Sequence, residues 1–456
     1  MISCPGRGSL KLKFEYWPVV WLWPAALVLM QLTLAMIGDF SLTVAVIACH
    51  LLQLYLVVFY WLKRPRDWQT IAALVILTYG LIVGLFAPDP VEFGRSFAHV
   101  LNLVLTALIC LNIRIGQGRE IAHSLVVFCL AASAAALVII AQAASFNLLR
   151  DFRLAALLGD FAPLGPGGEV YAPLPNTALP RANGFYSEPS VAGWFMSFAL
   201  AVALATRPLR PLLGALTAAL CSLAAMATLS LTGILGAALV WSGYLLLVRD
   251  SGRFKAIAGL IATLGIGSAL YQVHELGILS RFAHLETPGT SIYFRLTAPY
   301  QLVGDSLDRF PLGYPLGQTD FVASRHYYIN WDQGTKTNID NTLLMVVFYF
   351  GLLGIAFNAA YLLKAAQYLV ARRHVVGLLM LSLLIAFCTT GAGWAHHVVL
   401  MIGYAIVVGR FLQNQRLIRL PRQRMVWRAP LTLLRSAASP ARARLQGARS
   451  LAASPP

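Results

Sequence analysis

Residues 212–248 read LLGALTAALCSLAAMATLSLTGILGAALVWSGYLLLV, without one charged side chain. As a single α-helix this stretch would extend about 55 Å, nearly twice the roughly 30 Å hydrocarbon core of a bilayer. It therefore holds two crossings, and Ser230-Leu231-Thr232-Gly233 is where the chain turns back. Runs of the same kind recur on both sides. Twelve are apolar for about the length of a spanning helix. They cover 17–37, 41–62, 71–87, 96–113, 121–145, 190–206, 212–229, 232–248, 256–273, 342–363, 375–392 and 396–412. The expected fold is all-α, a polytopic integral membrane protein of about 12 transmembrane helices. The first run is too long for a signal-peptide core and has no clean small-residue cleavage site after it, so it reads as a retained helix.

Composition agrees and excludes other classes. Hydrophobic residues make up 58% of the 456-residue chain and charged residues only 12%, too few to cover a water-facing surface. The net charge of +17 does not gather on one soluble face, as nucleic-acid binding would need. The six cysteines, Cys4, Cys49, Cys110, Cys129, Cys221 and Cys388, show neither a disulfide framework nor metal-site spacing.

The charges instead set topology. With the N-terminus inside, the inside segments carry 26 Lys and Arg against four acids, the outside segments nine against fourteen. Every inside loop obeys the positive-inside rule, which places both termini in the cytoplasm. The expected organisation is one membrane domain over 1–412, then an Arg-rich disordered cytoplasmic tail over 413–456 that touches anionic lipid. Two outside loops, 146–189 and 274–341, are far longer than the rest, and long loops are usually functional. The first opens with Phe146–Leu154, amphipathic enough to lie on the membrane.

Soluble-enzyme signatures are missing: there is no P-loop, no G-x-G-x-x-G, no G-x-S-x-G and no D-x-D. His396-His397 opens the last run, but adjacent histidines point to different helix faces, which argues for hydrogen bonding rather than zinc. The informative polar residues lie in the two long loops. The first contains Arg181-Ala182-Asn183-Gly184-Phe185-Tyr186-Ser187-Glu188-Pro189. The second contains Ser291-Ile292-Tyr293-Phe294-Arg295 and Pro311-Leu312-Gly313-Tyr314-Pro315-Leu316-Gly317. It closes on Asp340-Asn341-Thr342-Leu343-Leu344, which runs into Gly351-Leu352-Leu353-Gly354.

In order and sidedness these segments resemble the O-antigen polymerase and O-antigen ligase superfamily. The shared patterns are R-x-x-G-F-x-x-E-P at Arg181–Pro189, an arginine followed by P-L-G-x-x-x-G at Arg295 and Pro311–Gly317, and an H/D-N-x-x-L helix entry followed by G-L-L-G. The resemblance covers nearly the whole chain in layout. It implies a glycosyltransferase of the bacterial inner membrane that moves a glycan from undecaprenyl diphosphate to an acceptor on the periplasmic face. Ligases of the superfamily have histidine where this chain has Asp340, and an arginine-bearing S-x-S-R motif where it has Ser230-Leu231-Thr232-Gly233. Both departures favour a polymerase of lipid-linked repeat units, making exopolysaccharide, capsule or O-antigen, over a ligase acting on lipid A core or protein.

The chemistry fits such a donor. Arginine binds phosphate oxygens bidentately at any pH and stabilises charge developing on a leaving diphosphate. Arg181 and Arg295 are the expected diphosphate ligands. The donor is already activated, so no cofactor or metal is expected. A base helps the acceptor hydroxyl attack, and Glu188, His326 and Asp340 are the candidates. Glu188, between Ser187 and Pro189, reads equally as a helix cap. Of the aromatic residues in the second loop, Tyr293, Tyr300, Tyr314, Tyr327, Tyr328 and Trp331, the first and fourth are taken as sugar-stacking residues, although interfacial belts use the same types. Expected partners are undecaprenyl-diphosphate-linked glycans, membrane lipids, a chain-length regulator and a flippase, with no nucleic acid. The competing class is a lipid-linked glycan transporter, which would put ionisable groups at the midplane; only His50, and His99 with Asn102, offer that.

Overall fold

The computed structural model describes residues 18–37, 40–56, 71, 75–76, 78–80, 82–87, 118–148, 181–247, 287, 293–318, 341–370, 374–389 and 396–419. The chain divides into two units, Met1–Gln413 and Asn414–Pro456, and the site described below belongs to the first. The protein is a mostly helical membrane protein. Among the described residues three helices are long and apolar enough to cross a bilayer unaided, Glu120–Ala144, Pro189–Thr206 and Thr342–Val370. Shorter apolar helices accompany them. The expected runs 96–113 and 256–273, the surface helix beyond residue 148 and the tail beyond 419 lie outside the described residues; residues 146–148 end α3.

In chain order, a π-helical turn over Pro18–Leu22 leads into α1 (Trp23–Val28), then strands β1 (Thr33–Ile37) and β2 (Phe40–Thr43), then α2 (Val44–Leu56). Helices α3 (Gly118–Leu148), α4 (Pro189–Thr206), α5 (Pro211–Ala227) and α6 (Leu231–Leu247) follow. A second π-helical turn, Tyr293–Thr297, precedes α7 (Ala298–Arg309), and α8 (Thr342–Val370), α9 (His374–Thr389) and α10 (His396–Arg419) complete the described elements.

The uncharged stretch at 212–248 breaks where expected. Helix α5 ends at Ala227, Leu229 takes φ 48°, and α6 starts at Leu231. Thr228 secures the break: its hydroxyl donates to the Ala225 carbonyl at 2.8 Å and accepts the Ser230 N–H at 3.2 Å. The first two runs are different. Instead of two uninterrupted helices over 17–37 and 41–62, β1 and β2 pair antiparallel, with Ile37 opposite Phe40 and Met36 opposite Ser41. Hydropathy counts apolar residues without regard to period, so it cannot tell a helix from an apolar strand.

Helix α4 is the centre of the bundle, with 94% of its apolar window buried against 44% for α3 and 39% for α8. It packs on α3, α5, α6 and α9. Gly193 and Gly233 bring α4 and α6 together so closely that a Cβ on Gly193 would lie 2.7 Å from the Gly233 Cα. Polar side chains stitch the helices where no water is at hand. Ser133 meets Thr217 at 2.9 Å, and the Trp241 indole donates to Ser222 at 2.8 Å. Burial of α4 on every side is what lets the chain at its N-terminal end be surrounded by several other elements.

Candidate active site

The segment that enters α4, Arg181–Glu188, has little regular structure of its own and is held from outside. Gln142, 4% exposed on α3, accepts the N–H groups of Asn183 at 3.1 Å and Gly184 at 2.7 Å through Oε1. Its Nε2 donates to the Asn183 side-chain oxygen at 3.2 Å. Asn183 in turn closes a local turn, donating to the Tyr186 carbonyl at 2.7 Å. Gln31, just before the hairpin, accepts the Ser187 N–H at 2.6 Å. Tyr186 is fully buried against Phe195, 5.2 Å between ring centroids. Neither glutamine belongs to any of the local sequence patterns. The signal was present in Gln142, a buried amide inside a run that is otherwise almost wholly apolar, where an unpaired polar group is costly.

Glu188 stands at the N-cap position of α4 in extended backbone (φ −138°, ψ 148°), with Pro189 in the first helical turn. Its carboxylate makes no cap hydrogen bond. It accepts instead the Ser190 hydroxyl at 2.9 Å and Nη2 of Arg295 at 3.4 Å. That Nη2 also lies 3.3 Å from the Ser190 oxygen, so carboxylate, hydroxyl and guanidinium form one triangle. The side chains of Arg295 and Glu188 are 21% and 34% exposed, which leaves the pair open to a ligand. Arg295 Nε is enclosed and, among the described residues, has no hydrogen-bond partner. Glu188 engages the guanidinium through Nη2, and a planar five-donor fork has capacity beyond that.

Arg295 sits on the π-helical turn Tyr293–Thr297, a rare geometry that recurs at functional positions. Asn341, 6% exposed, borders it. Its Oδ1 accepts the Leu344 N–H at 3.1 Å and so caps α8, while Nδ2 lies 3.5 Å from the Arg295 carbonyl and 3.5 Å from that of Cys388 in the last turn of α9. Tyr293 is 7% exposed, so little of its ring is presented for stacking; Tyr300 at 73% is the open aromatic side chain on the adjoining helix. Arg181 heads the segment that Gln142 holds and is partly buried. His326, Tyr327 and Asp340 lie outside the described residues.

The P-L-G and G-L-L-G patterns are two halves of one feature. Gly351 interrupts α8 with φ 54° and ψ −134°, and Pro311–Gly313 inserts at the break. The Tyr314 N–H donates to the Phe348 carbonyl at 2.9 Å and the Leu352 N–H to the Pro311 carbonyl at 3.1 Å. Tyr314 stacks on Phe348 with ring centroids 5.1 Å apart. A Cβ on Gly351 would collide with the Pro311 carbonyl, and its positive φ already disfavours any L side chain. The histidine doublet divides between two partners, as adjacent helical positions must. His396 faces His50 at 5.1 Å, and His397 stacks on Trp194 at 6.1 Å.

No curated protein and no solved structure matches the chain. The family described as WcaD colanic acid polymerase matches over residues 18–411, which takes in every element of this site, and accords with the likeness to O-antigen polymerases. The chain belongs to the WcaD colanic acid polymerase family.

Proposed function

We propose that this protein joins undecaprenyl-diphosphate-linked repeat units into a polysaccharide on the periplasmic face of the inner membrane. The observation that carries the proposal is the triangle of Glu188, Ser190 and Arg295 at the N-terminal end of the most buried helix. It puts a diphosphate-binding cation beside a carboxylate, the two groups that transfer from a lipid diphosphate needs. Family membership supports polymerisation of glycan repeat units. Helix starts α4 and α8 and helix ends α3 and α9 meet here, and the charge pattern puts all four on the outside face.

In this reading Arg295 grips the donor diphosphate and Arg181 the diphosphate of the acceptor unit. The bond between the anomeric carbon and the diphosphate oxygen breaks, and undecaprenyl diphosphate leaves with the electron pair. The acceptor hydroxyl oxygen bonds the anomeric carbon, and Glu188 takes its proton. A diphosphate carries more charge than one carboxylate, so it displaces Glu188 from the guanidinium and frees the carboxylate for this step. His326 and Asp340 remain the other candidate bases and Tyr327 the candidate sugar contact; Tyr293, 7% exposed, offers little ring for stacking. The membrane domain is taken as 1–412 with a cytoplasmic tail, and a flippase and a chain-length regulator are the proposed partners.

The test is deletion in the host, followed by analysis of lipid-linked glycans by gel and mass spectrometry. Single repeat units accumulating on the periplasmic leaflet support a polymerase. Long polymer stranded on undecaprenyl diphosphate would make the protein a ligase, and units trapped on the cytoplasmic leaflet a transporter. Complementation with Arg295→Ala is expected to restore the protein but not the polymer; normal polymer would remove Arg295 from the mechanism.

A further inference from the structure

We infer that Asn341 is a positioning residue for Arg295, holding the guanidinium's backbone in place through the main-chain carbonyl rather than by touching substrate. The inference rests on the reading of Arg295 as a diphosphate ligand. Three bonds define the amide. Oδ1 accepts the Leu344 N–H at 3.1 Å, while Nδ2 reaches the Arg295 and Cys388 carbonyls, each at 3.5 Å. The amide can point only one way, because a backbone N–H only donates and a carbonyl only accepts. One NH2 has two hydrogens, and here each has its own carbonyl.

Capping alone does not require asparagine. Serine, threonine or aspartate caps a helix start about as well. What those residues lack is a donor group opposite the capping oxygen that serves two further carbonyls. The Cys388 carbonyl lies in the last turn of α9, where carbonyls have no partner within their own helix. The Arg295 carbonyl belongs to a π-helical turn that leads directly into α7. Asn341 thus joins the start of α8, the end of α9 and the arginine turn at one buried point. A guanidinium that must meet diphosphate oxygens in a fixed fork loses affinity when its backbone shifts by even a fraction of an ångström.

The test uses the full chain in lipid nanodiscs and undecaprenyl diphosphate itself as probe. Asn341→Ser and Asn341→Thr are neutral, keep a capping oxygen and remove the NH2. Each is expected to melt within a few degrees of the parent yet bind the probe about tenfold more weakly. In an Arg295→Ala background the same changes are expected to add nothing, since the effect travels through Arg295. Asn341→Asp, which keeps the cap but brings charge, is expected to bind more weakly still. Two neutral variants keep the test open if one of them folds poorly. Probe affinity unchanged in the serine and threonine variants would overturn the inference, and so would a loss that adds fully to that of Arg295→Ala. Arg295→Ala binding like the parent would mark a different failure, that of the diphosphate reading itself, and the inference would fall with it.

Discussion

The two halves of α8 are continuous in sequence and opposite in environment. Before Gly351, Met345, Val347, Phe348, Tyr349 and Phe350 are all buried, packed with Leu302, Val303, Tyr314 and Leu316. After it, Leu352, Leu353, Ile355, Leu362 and Leu363 are exposed. Residues 352–370 would run about 28 Å as a helix, enough for one bilayer crossing. The first half is therefore a scaffold: it carries Asn341 at its start, the carbonyl that receives Tyr314, and the break that receives Pro311. The second half exposes its leucines over a length that matches one crossing. Both halves are apolar, because burial in protein and exposure to lipid select the same kinds of side chain.

The strongest way to break this division is at its boundary. Gly351→Ala is expected to cost about 5 kcal/mol, because strain at positive φ adds to collision with the Pro311 carbonyl. Thermal melting in nanodiscs would check it, and recovery near that of the parent would mean the break is not fixed by backbone contact. Next comes Phe348→Ala, which empties the stack with Tyr314 and should cost roughly 3–4 kcal/mol. It is also expected to abolish polymer in cells, since the Pro311–Gly317 turn loses its seat. Smallest is Leu363→Ala in the exposed half, expected to change stability by less than about 0.5 kcal/mol and leave polymer length intact. A large loss there would show that a second protein, not lipid, covers this face.

Ser190→Ala sharpens the comparison from the other side of the site. It removes the hydroxyl shared by Glu188 and Arg295 without touching α8, and a cost of about 1 kcal/mol is expected. Polymer yield should fall more than stability does, and comparing yield with melting temperature in the same preparations separates the two.

Much of this was legible beforehand. The turn at Ser230 follows from length alone, and Arg295 and Glu188 stand within the local patterns that the sequence displays. The break at Gly351 inside run 342–363 was not foreseen, and the helix expected through residues 33–37 is a strand instead. In the hairpin, Gly38-Asp39 between two apolar segments was a turn signal that a hydropathy count ignores. The two glutamines were individually visible, but their partners lay 41 and 156 residues away, and no local rule reaches that far.

What the sequence by itself determined is the membrane class and the break between paired helices, and it sets an expectation for the sidedness of each loop. Those properties depend on apolar length and on where charges fall, both of which are local. Only the tertiary structure decided that Glu188 faces Arg295 instead of capping its own helix, that Asn341 serves three elements at once, and that Gly351 kinks against Pro311. Each of these depends on which backbone and side-chain groups, distant in the chain, are left to satisfy one another once water is excluded.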